Sequence, residues 1–340
     1  MKSKVVVSSV FAAMSFSALA APVVVAHRGA SGYLPEHTLE AKALAYGMRP
    51  DFIEQDVLMT KDNHLIVMHD LSLNRTTDVE QKFPTRARAD GKYYAVDFTL
   101  EEIKSLNVTE GYNDERFPKE KSSFRVPTLE EEIELIQGLN KSLGYNIGLY
   151  TEIKSPWFHR KEGKDISLAL LKTLKAYGYT NKNSNIYLQS FDPNELKRVN
   201  DELMPAMDMD LKLVQLLAYT SWNETFENKD GELTAYNYDW FYKPGAMQEV
   251  AKYADGVGPW YPMLVDEKST KQNIIITPMT KEAQAAGLAV HPYTLRADKG
   301  KIPAYAQNFD QLLDIFYNQV KVDGVFTDFP DQAVSFIKKG

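Results

Sequence analysis

The sequence predicts a (β/α)8 TIM barrel with an inserted segment after its third strand, and three observations carry that reading. Short apolar strands recur between helical stretches along the whole chain, as consecutive βα units require. Polar residues stand at the ends of strands one to five and of the last ones, where barrel enzymes assemble their chemistry, instead of gathering at one switch point. The turn after the first strand, His27-Arg28-Gly29-Ala30-Ser31-Gly32, lacks the GxGxxG spacing expected of a doubly wound dinucleotide-binding sheet.

The N-terminus reads as a secretory signal over residues 1–20. Lys2 and Lys4 give the charged start, an apolar stretch follows, and Ala18-Leu19-Ala20 offers a small-residue cleavage site. Pro22 and His27-Arg28 close the apolar run too early for a membrane span, so no stable membrane insertion is expected after signal removal. Residues 21–340 then form a single domain, stabilised by its core alone because the chain has no cysteine. Losing Lys2 and Lys4 leaves 37 Lys+Arg against 46 Asp+Glu, a formal charge of −9, which argues against nucleic acid as the main partner.

Taken in order, the first strand is 23–26. Thr38 caps a helix over 39–46 whose Leu39, Ala43 and Tyr46 share a face, and Gly47 ends it. The second strand, 52–58, alternates so that Glu54, Asp56 and Leu58 point one way and Ile53, Gln55 and Val57 the other. The third, 65–68, delivers His69-Asp70, and the charged stretch of about 71–126 is the insertion, with one helix over 100–106. Arg75 follows closely enough to reach back to His69-Asp70. Thr128 and Glu131 form a capping box for a helix running from 129 towards Gly144.

The fourth strand, 147–153, places Glu152 on one face with Lys154. Further strands are expected at 186–188, 203–207, 255–259, 288–291 and 324–327, with helices at 166–177, 193–199, 278–286 and 309–317. Residues 211–252 read as irregular and aromatic. These make nine candidate strands for eight places, and 255–259 is taken as the extra one.

Glu54, Asp56 and Glu152 are the strongest chemical signal. On strands two and four of a closed barrel they can meet across its mouth, and three oxygen donors without cysteine suit a hard cation such as Ca²⁺ or Mg²⁺; the alternative is three separately salt-bridged or solvated acids. His27 and His69 directly follow apolar strands and suit proton transfer, metal ligation or simple packing. Arg28 and Lys154 either neutralise a phosphate or only balance the acids. Asp70 reads as an orienting acid, His37 as a helix-start residue, His64 as a turn residue and His291 as a minor candidate, while His159 receives no role. Trp222, Phe226, Tyr236, Tyr238, Trp240, Phe241 and Trp260 form either a satellite core or a wall beside a substrate's organic group.

Several motifs taken together resemble the glycerophosphodiester phosphodiesterases, most of all their exported, periplasmic branch. They are Ala26-His27-Arg28-Gly29, Pro35-Glu36-His37-Thr38, Ile53-Glu54-Gln55-Asp56, Val67-Met68-His69-Asp70, Leu149-Tyr150-Thr151-Glu152-Ile153-Lys154, Leu188-Gln189-Ser190-Phe191 and Asp323-Gly324-Val325-Phe326-Thr327-Asp328-Phe329-Pro330. The resemblance implies hydrolysis of glycerophosphocholine, glycerophosphoethanolamine and similar deacylated phospholipids to sn-glycerol 3-phosphate and an alcohol. By that likeness Glu54, Asp56 and Glu152 bind a divalent cation, Ca²⁺ in the exported branch, His27 and His69 are the acid-base pair, and Arg28 and Lys154 hold phosphate. Attack by the neighbouring glycerol hydroxyl and direct attack by water both stay open. One departure is Arg49-Pro50, where the family often carries a small Gly-Ala pair before the second strand's aspartate. Two other classes compete: a barrel enzyme acting on intact lipid, and a periplasmic solute-binding protein, which would not need the carboxylates and both histidines together.

Overall fold

A computed structural model of the 340-residue chain describes residues 22–112, 115–119 and 122–339, so the expected signal at 1–20 lies outside the described residues. Eleven strands occur among these: β1 (Val23–Ala26), β2 (Phe52–Met59), β3 (Leu65–Val67), β4 (Gly148–Ile153), β5 (Ile186–Ser190), β6 (Lys212–Leu216), β7 (Phe226–Lys229), β8 (Glu232–Ala235), β9 (Gly256–Gly258), β10 (Ala289–Val290) and β11 (Gly324–Thr327). Eight of them form a parallel sheet in the order β10-β9-β6-β5-β4-β2-β1-β11. Backbone hydrogen bonds from Asp323 to Val290, Phe326 to Pro292 and Leu295 to Phe326 bring the two outer strands together, so the sheet closes into the expected barrel.

Besides the β7–β8 hairpin within the stretch expected to be irregular, the assignment of the barrel's strands differs from the sequence reading in three places. β3 runs antiparallel to β2 and is not a stave of the barrel, although the 71–126 segment does follow it. Residues 203–207 continue the helix begun at Pro193–Arg198, because Leu203 and Met204 pack against the core as one side of a helix. The stave expected there is β6, whose Val214 and Leu216 line the interior; Asp255-Gly256 then opens β9, a stave and not the surplus strand. Asp51, Asp255 and Asp323 each stand just before a stave and accept the backbone N–H of Val24, Leu213 and Val290 respectively, at 2.8–3.0 Å. A carboxylate thus satisfies a strand-start donor at three points around the barrel's lower rim.

Thr38 caps the first helix, Leu39–Met48, by accepting from Ala41 N–H at 3.1 Å. Its buried face is Ala41, Lys42, Ala45 and Tyr46, so the expected face containing Leu39 and Ala43 is offset by a residue or two. Arg49, not Gly47, takes the left-handed C-cap at φ 65°, where its guanidinium lies 3.5 Å from the Tyr145 ring centroid. Helix Leu129–Leu143 forms with its Thr128/Glu131 capping box and Gly144 at φ 70°.

Alternation along the staves divides the core in two. Ile53, Val57, Leu149, Ile153, Leu188 and Val325 face the surrounding helices. Val25, Phe52, Tyr150, Val214 and Phe326 fill the interior, where Tyr150 stacks on Tyr187 at 4.9 Å and meets Phe326 edge-on at 4.8 Å. This aromatic plug makes the barrel a packed body whose usable space lies above it. The segment following β3 has its own buried cluster, including Leu73, Val79, Phe98, Ile103 and Val108, packed on Leu58 and Ile66. No helix among the described residues is long and apolar enough to cross a membrane.

Two buried histidines serve this architecture. His159 accepts the Met59 N–H at Nε2 and donates from Nδ1 to the Ser155 carbonyl, while His291 Nδ1 lies 3.0 Å from the Tyr150 hydroxyl. Burial lowers both imidazoles to about 4. The unfolded chain therefore binds these protons first, near pH 6.5, and stability should fall as pH drops from about 6.5 to 4, by up to about 3 kcal/mol per histidine. Urea unfolding at pH 7 and pH 5 should show a smaller loss for a His159→Gln/His291→Gln variant than for wild type; equal losses would contradict this assignment.

Candidate active site

The upper ends of the staves surround a cavity of about 580 Å³, lined by His27, Arg28, Glu54, Asp56, His69, Glu152 and Gln189 on one side. Its other walls come from Phe191, Trp222, Glu224, Trp260, Tyr293, Arg296 and Lys301, among others. Of the seven residues singled out in the sequence, six therefore share one space. Lys154 is the exception: it is buried beside the cavity, with Nζ 3.0 Å from Glu152 Oε1.

Period two explains the acidic side. Phe52, Glu54 and Asp56 occupy successive inward positions of β2, as Tyr150 and Glu152 do on β4, and the register sets Asp56 opposite Glu152. The aromatic plug gives way to carboxylates as both strands approach the mouth. Glu54 accepts the Arg28 N–H at 2.7 Å. Asp56 Oδ2 lies 2.8 Å from His37 Nε2 and 3.5 Å from Arg28 Nε, while Oδ1 is buried with no hydrogen-bond partner among the described residues.

Burial pushes Glu54 well above the usual carboxylate range, and the Asp56 charge adds to the effect. Burial also raises Glu152, with Lys154 opposing and Asp56 reinforcing. Asp56 shifts downward: burial would raise it, but the Lys154 charge and the His37 hydrogen bond hold it low. Crowded acids with an orphaned oxygen fit a divalent cation, which would relieve both the repulsion and the unmet bond. One oxygen or nitrogen from each of His37, Glu54 and Asp56 lies within 4.8 Å of the others, a spacing able to hold a metal ion.

Each lining histidine is tied to an acid. His27 Nδ1 is 2.6 Å from Asp328 Oδ1, and Asp328 Oδ2 accepts from Arg116 at 2.6 Å and Arg296 at 2.8 Å. His69 Nδ1 is 2.6 Å from Asp70 Oδ1, and Arg75 does reach back, donating from Nε to Asp70 Oδ2 at 2.6 Å. Burial and the Arg28 charge lower both imidazoles to about 4 despite these acids, so both rings are neutral near pH 7. An occupied Nδ1 leaves Nε2 as the nitrogen for proton exchange.

Glu36 joins the two halves by accepting from Arg28 and Arg75, whose charges hold it well below the usual carboxylate range against burial. Arg28 and His37 adopt left-handed backbone at φ 57° and 62°, and Gly29 follows at φ 87°. A Cβ on Gly29 would come within 2.9 Å of the Ala41 backbone, so the loop that presents Arg28 lies directly on the first helix.

The sequence reading assigns Glu36, Asp328, Arg116 and Arg296 no role at the site and places His37 only at a helix start, whereas its ring meets Asp56. Asp328 had a visible signal, since it follows an apolar strand just as Asp70 follows β3; Arg116 and Arg296 lie in stretches without periodicity. His64 is exposed in its turn, and His291 sits in the plug below the cavity. The aromatic group divides: Trp222 and Trp260 line the cavity, Tyr238 and Phe241 belong to the main core, and Tyr236 and Trp240 pack against that core.

Residues 27–332 match the Glycerophosphoryl diester phosphodiesterase family. The chain is 54% identical over 328 residues to a glycerophosphodiester phosphodiesterase of Haemophilus influenzae, covering 93% of this chain and 90% of that one. It is 44% identical over 342 residues to one from Treponema pallidum, with 97% and 96% covered. Its fold is similar to a phosphodiesterase of Oleispira antarctica solved in complex with the product sn-glycerol-3-phosphate, at TM-score 0.62 and 21% identity, over 93% of this chain and 97% of that one. Motifs, barrel and family match agree along nearly the whole described length, and the chain belongs to the glycerophosphoryl diester phosphodiesterase family.

Proposed function

We propose that this is an exported phosphodiesterase that hydrolyses glycerophosphodiesters, such as glycerophosphocholine and glycerophosphoethanolamine, to sn-glycerol 3-phosphate and an alcohol. One observation carries the reading: two histidines, each held at Nδ1 by a carboxylate, share a cavity with three buried acids. The names of the two bacterial relatives and the product in the Oleispira antarctica structure support the substrate class. The charged, apolar and small-residue pattern of 1–20 supports export to the periplasm, and 21–340 then act as one barrel domain bearing the 71–126 insertion.

Glu54, Asp56 and Glu152 would hold a divalent cation; their oxygen donors suit Ca²⁺ or Mg²⁺, and the likeness to the exported branch makes Ca²⁺ the first expectation. When bound, that cation would offset the charge growing on the phosphate oxygens. Arg28 on the cavity wall, and Lys154 beside it, supply fixed positive charge for the same oxygens. The anionic phosphodiester, once bound, would favour a proton on Nε2 of one ring; that histidine gives it to the departing alkoxide while the other, neutral, takes the proton of the attacking hydroxyl at Nε2. If the neighbouring glycerol hydroxyl attacks first, water opens the cyclic phosphate in a second step with the histidine roles exchanged.

Product release from glycerophosphocholine tests the whole reading. After chelation, purified protein should release no glycerol 3-phosphate or choline, and restoring Ca²⁺ or Mg²⁺ should start it; tight binding with substrate recovered unchanged would favour a solute-binding protein. His27→Ala and His69→Ala should each lower kcat by at least about 10²-fold with the circular dichroism spectrum preserved. Near-normal turnover in either would remove that histidine from the reaction. Glu54→Gln and Glu152→Gln should each shift the metal concentration for half activity upward by about 10-fold or more, and an unshifted response would take that residue out of the ligand set.

A further inference from the structure

Lys42 is a fully buried charged group that the proposed reaction does not use. It lies on helix Leu39–Met48 with no exposed surface, directly behind the carboxylates. Its ammonium donates to the Glu54 carbonyl oxygen, lies 3.0 Å from Glu132 Oε2 on helix Leu129–Leu143, and lies 3.3 Å from His37 Nδ1. An ammonium has three donors and no acceptor, so the ring nitrogen it meets must be the bare, accepting one. The His37 proton is then on Nε2, and Nε2 donates to Asp56 Oδ2 at 2.8 Å.

That assignment decides between two ligand sets. Coordination through His37 Nε2 requires a bare Nε2, and a neutral ring would then carry its proton on Nδ1, setting an N–H against the Lys42 ammonium. We propose that Lys42, with Glu132 as its counter-charge, is a positioning residue that keeps His37 out of the metal's coordination shell and uses its Nε2–H to aim Asp56. Oδ2 is thereby fixed, and Oδ1, the buried oxygen with no hydrogen-bond partner among the described residues, is the one turned to the cation. The same ammonium grips the Glu54 carbonyl, so one buried charge sets both the strand position of Glu54 and the rotation of Asp56 two residues on. A buried ion pair seldom stabilises more than an apolar pair of similar size, which favours a positional role over a stabilising one. The inference rests on the reading that Glu54, Asp56 and Glu152 hold a divalent cation.

Histidine-labelled ¹⁵N NMR of the mature protein, with and without Ca²⁺, reports which ring nitrogen is protonated, and calorimetry reports Ca²⁺ affinity. His37 should show a protonated Nε2 and a bare Nδ1 in both states. In a Lys42→Met/Glu132→Leu variant, which replaces the pair with apolar side chains, the tautomer preference should be lost and Ca²⁺ binding should weaken by about 10- to 100-fold. A protonated Nδ1, or a His37 Nε2 resonance that moves to a metal-bound position when Ca²⁺ is added, would overturn the proposal. So would wild-type affinity in the double variant; should that variant not fold, the tautomer in the unaltered protein decides alone. Wild-type protein that binds neither Ca²⁺ nor Mg²⁺ would instead overturn the carboxylate reading itself, and this inference with it.

Discussion

Everything at the mouth of the barrel depends on keeping acids out of water. Glu54, Asp56 and Glu152 are almost wholly buried, and a carboxylate there costs several kcal/mol unless charge or hydrogen bonds compensate it. Lys154 and Lys42 are buried among them and Arg28 lies mostly buried beside them for that reason, and each reaches a different part of the cluster. Compensation is incomplete: the cluster still holds two carboxyls pushed upward and one oxygen without a hydrogen-bond partner among the described residues. A stable fold tolerates such a deficit where it is useful, at a place where a cation or a phosphate can complete the balance.

The barrel interior is what makes that position available. Inward residues of β2 read Phe52, Glu54, Asp56, and those of β4 read Tyr150, Glu152, so each stave passes from plug to site within two or three inward positions. The plug excludes water from below, and the helices close the outer face through Ile53, Val57, Leu149 and Ile153. The site is therefore open on one side only, through loops that contribute Trp222, Trp260, Arg296 and Lys301. The acids and histidines of the cavity sit at strand ends, while its tryptophans and outer basic residues sit on loops.

This division also explains what could be read in the sequence. Residues on regular strands announce themselves: two acids at spacing two in an apolar run, or a histidine directly after one, need no tertiary knowledge to be noticed. The β6 stave was hidden because Lys212–Leu216 follows a helix with no clear turn and introduces an aromatic loop region. β3 misled in the opposite sense, since three apolar residues look the same whether they join a barrel or fold back on β2. Glu36, His37 and Lys42 stayed obscure because their importance arises from a turn and a helix packed behind the strand, a relation with no local period. Arg116 is harder still, as it reaches Asp328 across 212 residues of chain.

The two histidines show how different surroundings arrive at one resting state. Asp328 beside His27 is almost fully buried and held by two arginines, whereas Asp70 beside His69 is partly exposed and held by Arg75. Both imidazoles nevertheless fall to about 4, because burial and the nearby Arg28 outweigh the attached acid in each case. An arginine-bound aspartate holds its histidine's Nδ1–H in place without raising the ring enough to keep it charged. Each ring can then take a proton at Nε2 and give it up again. Two such groups, oriented by the same device and sharing one added proton between them, suit a two-step displacement in which the base of one step is the acid of the next.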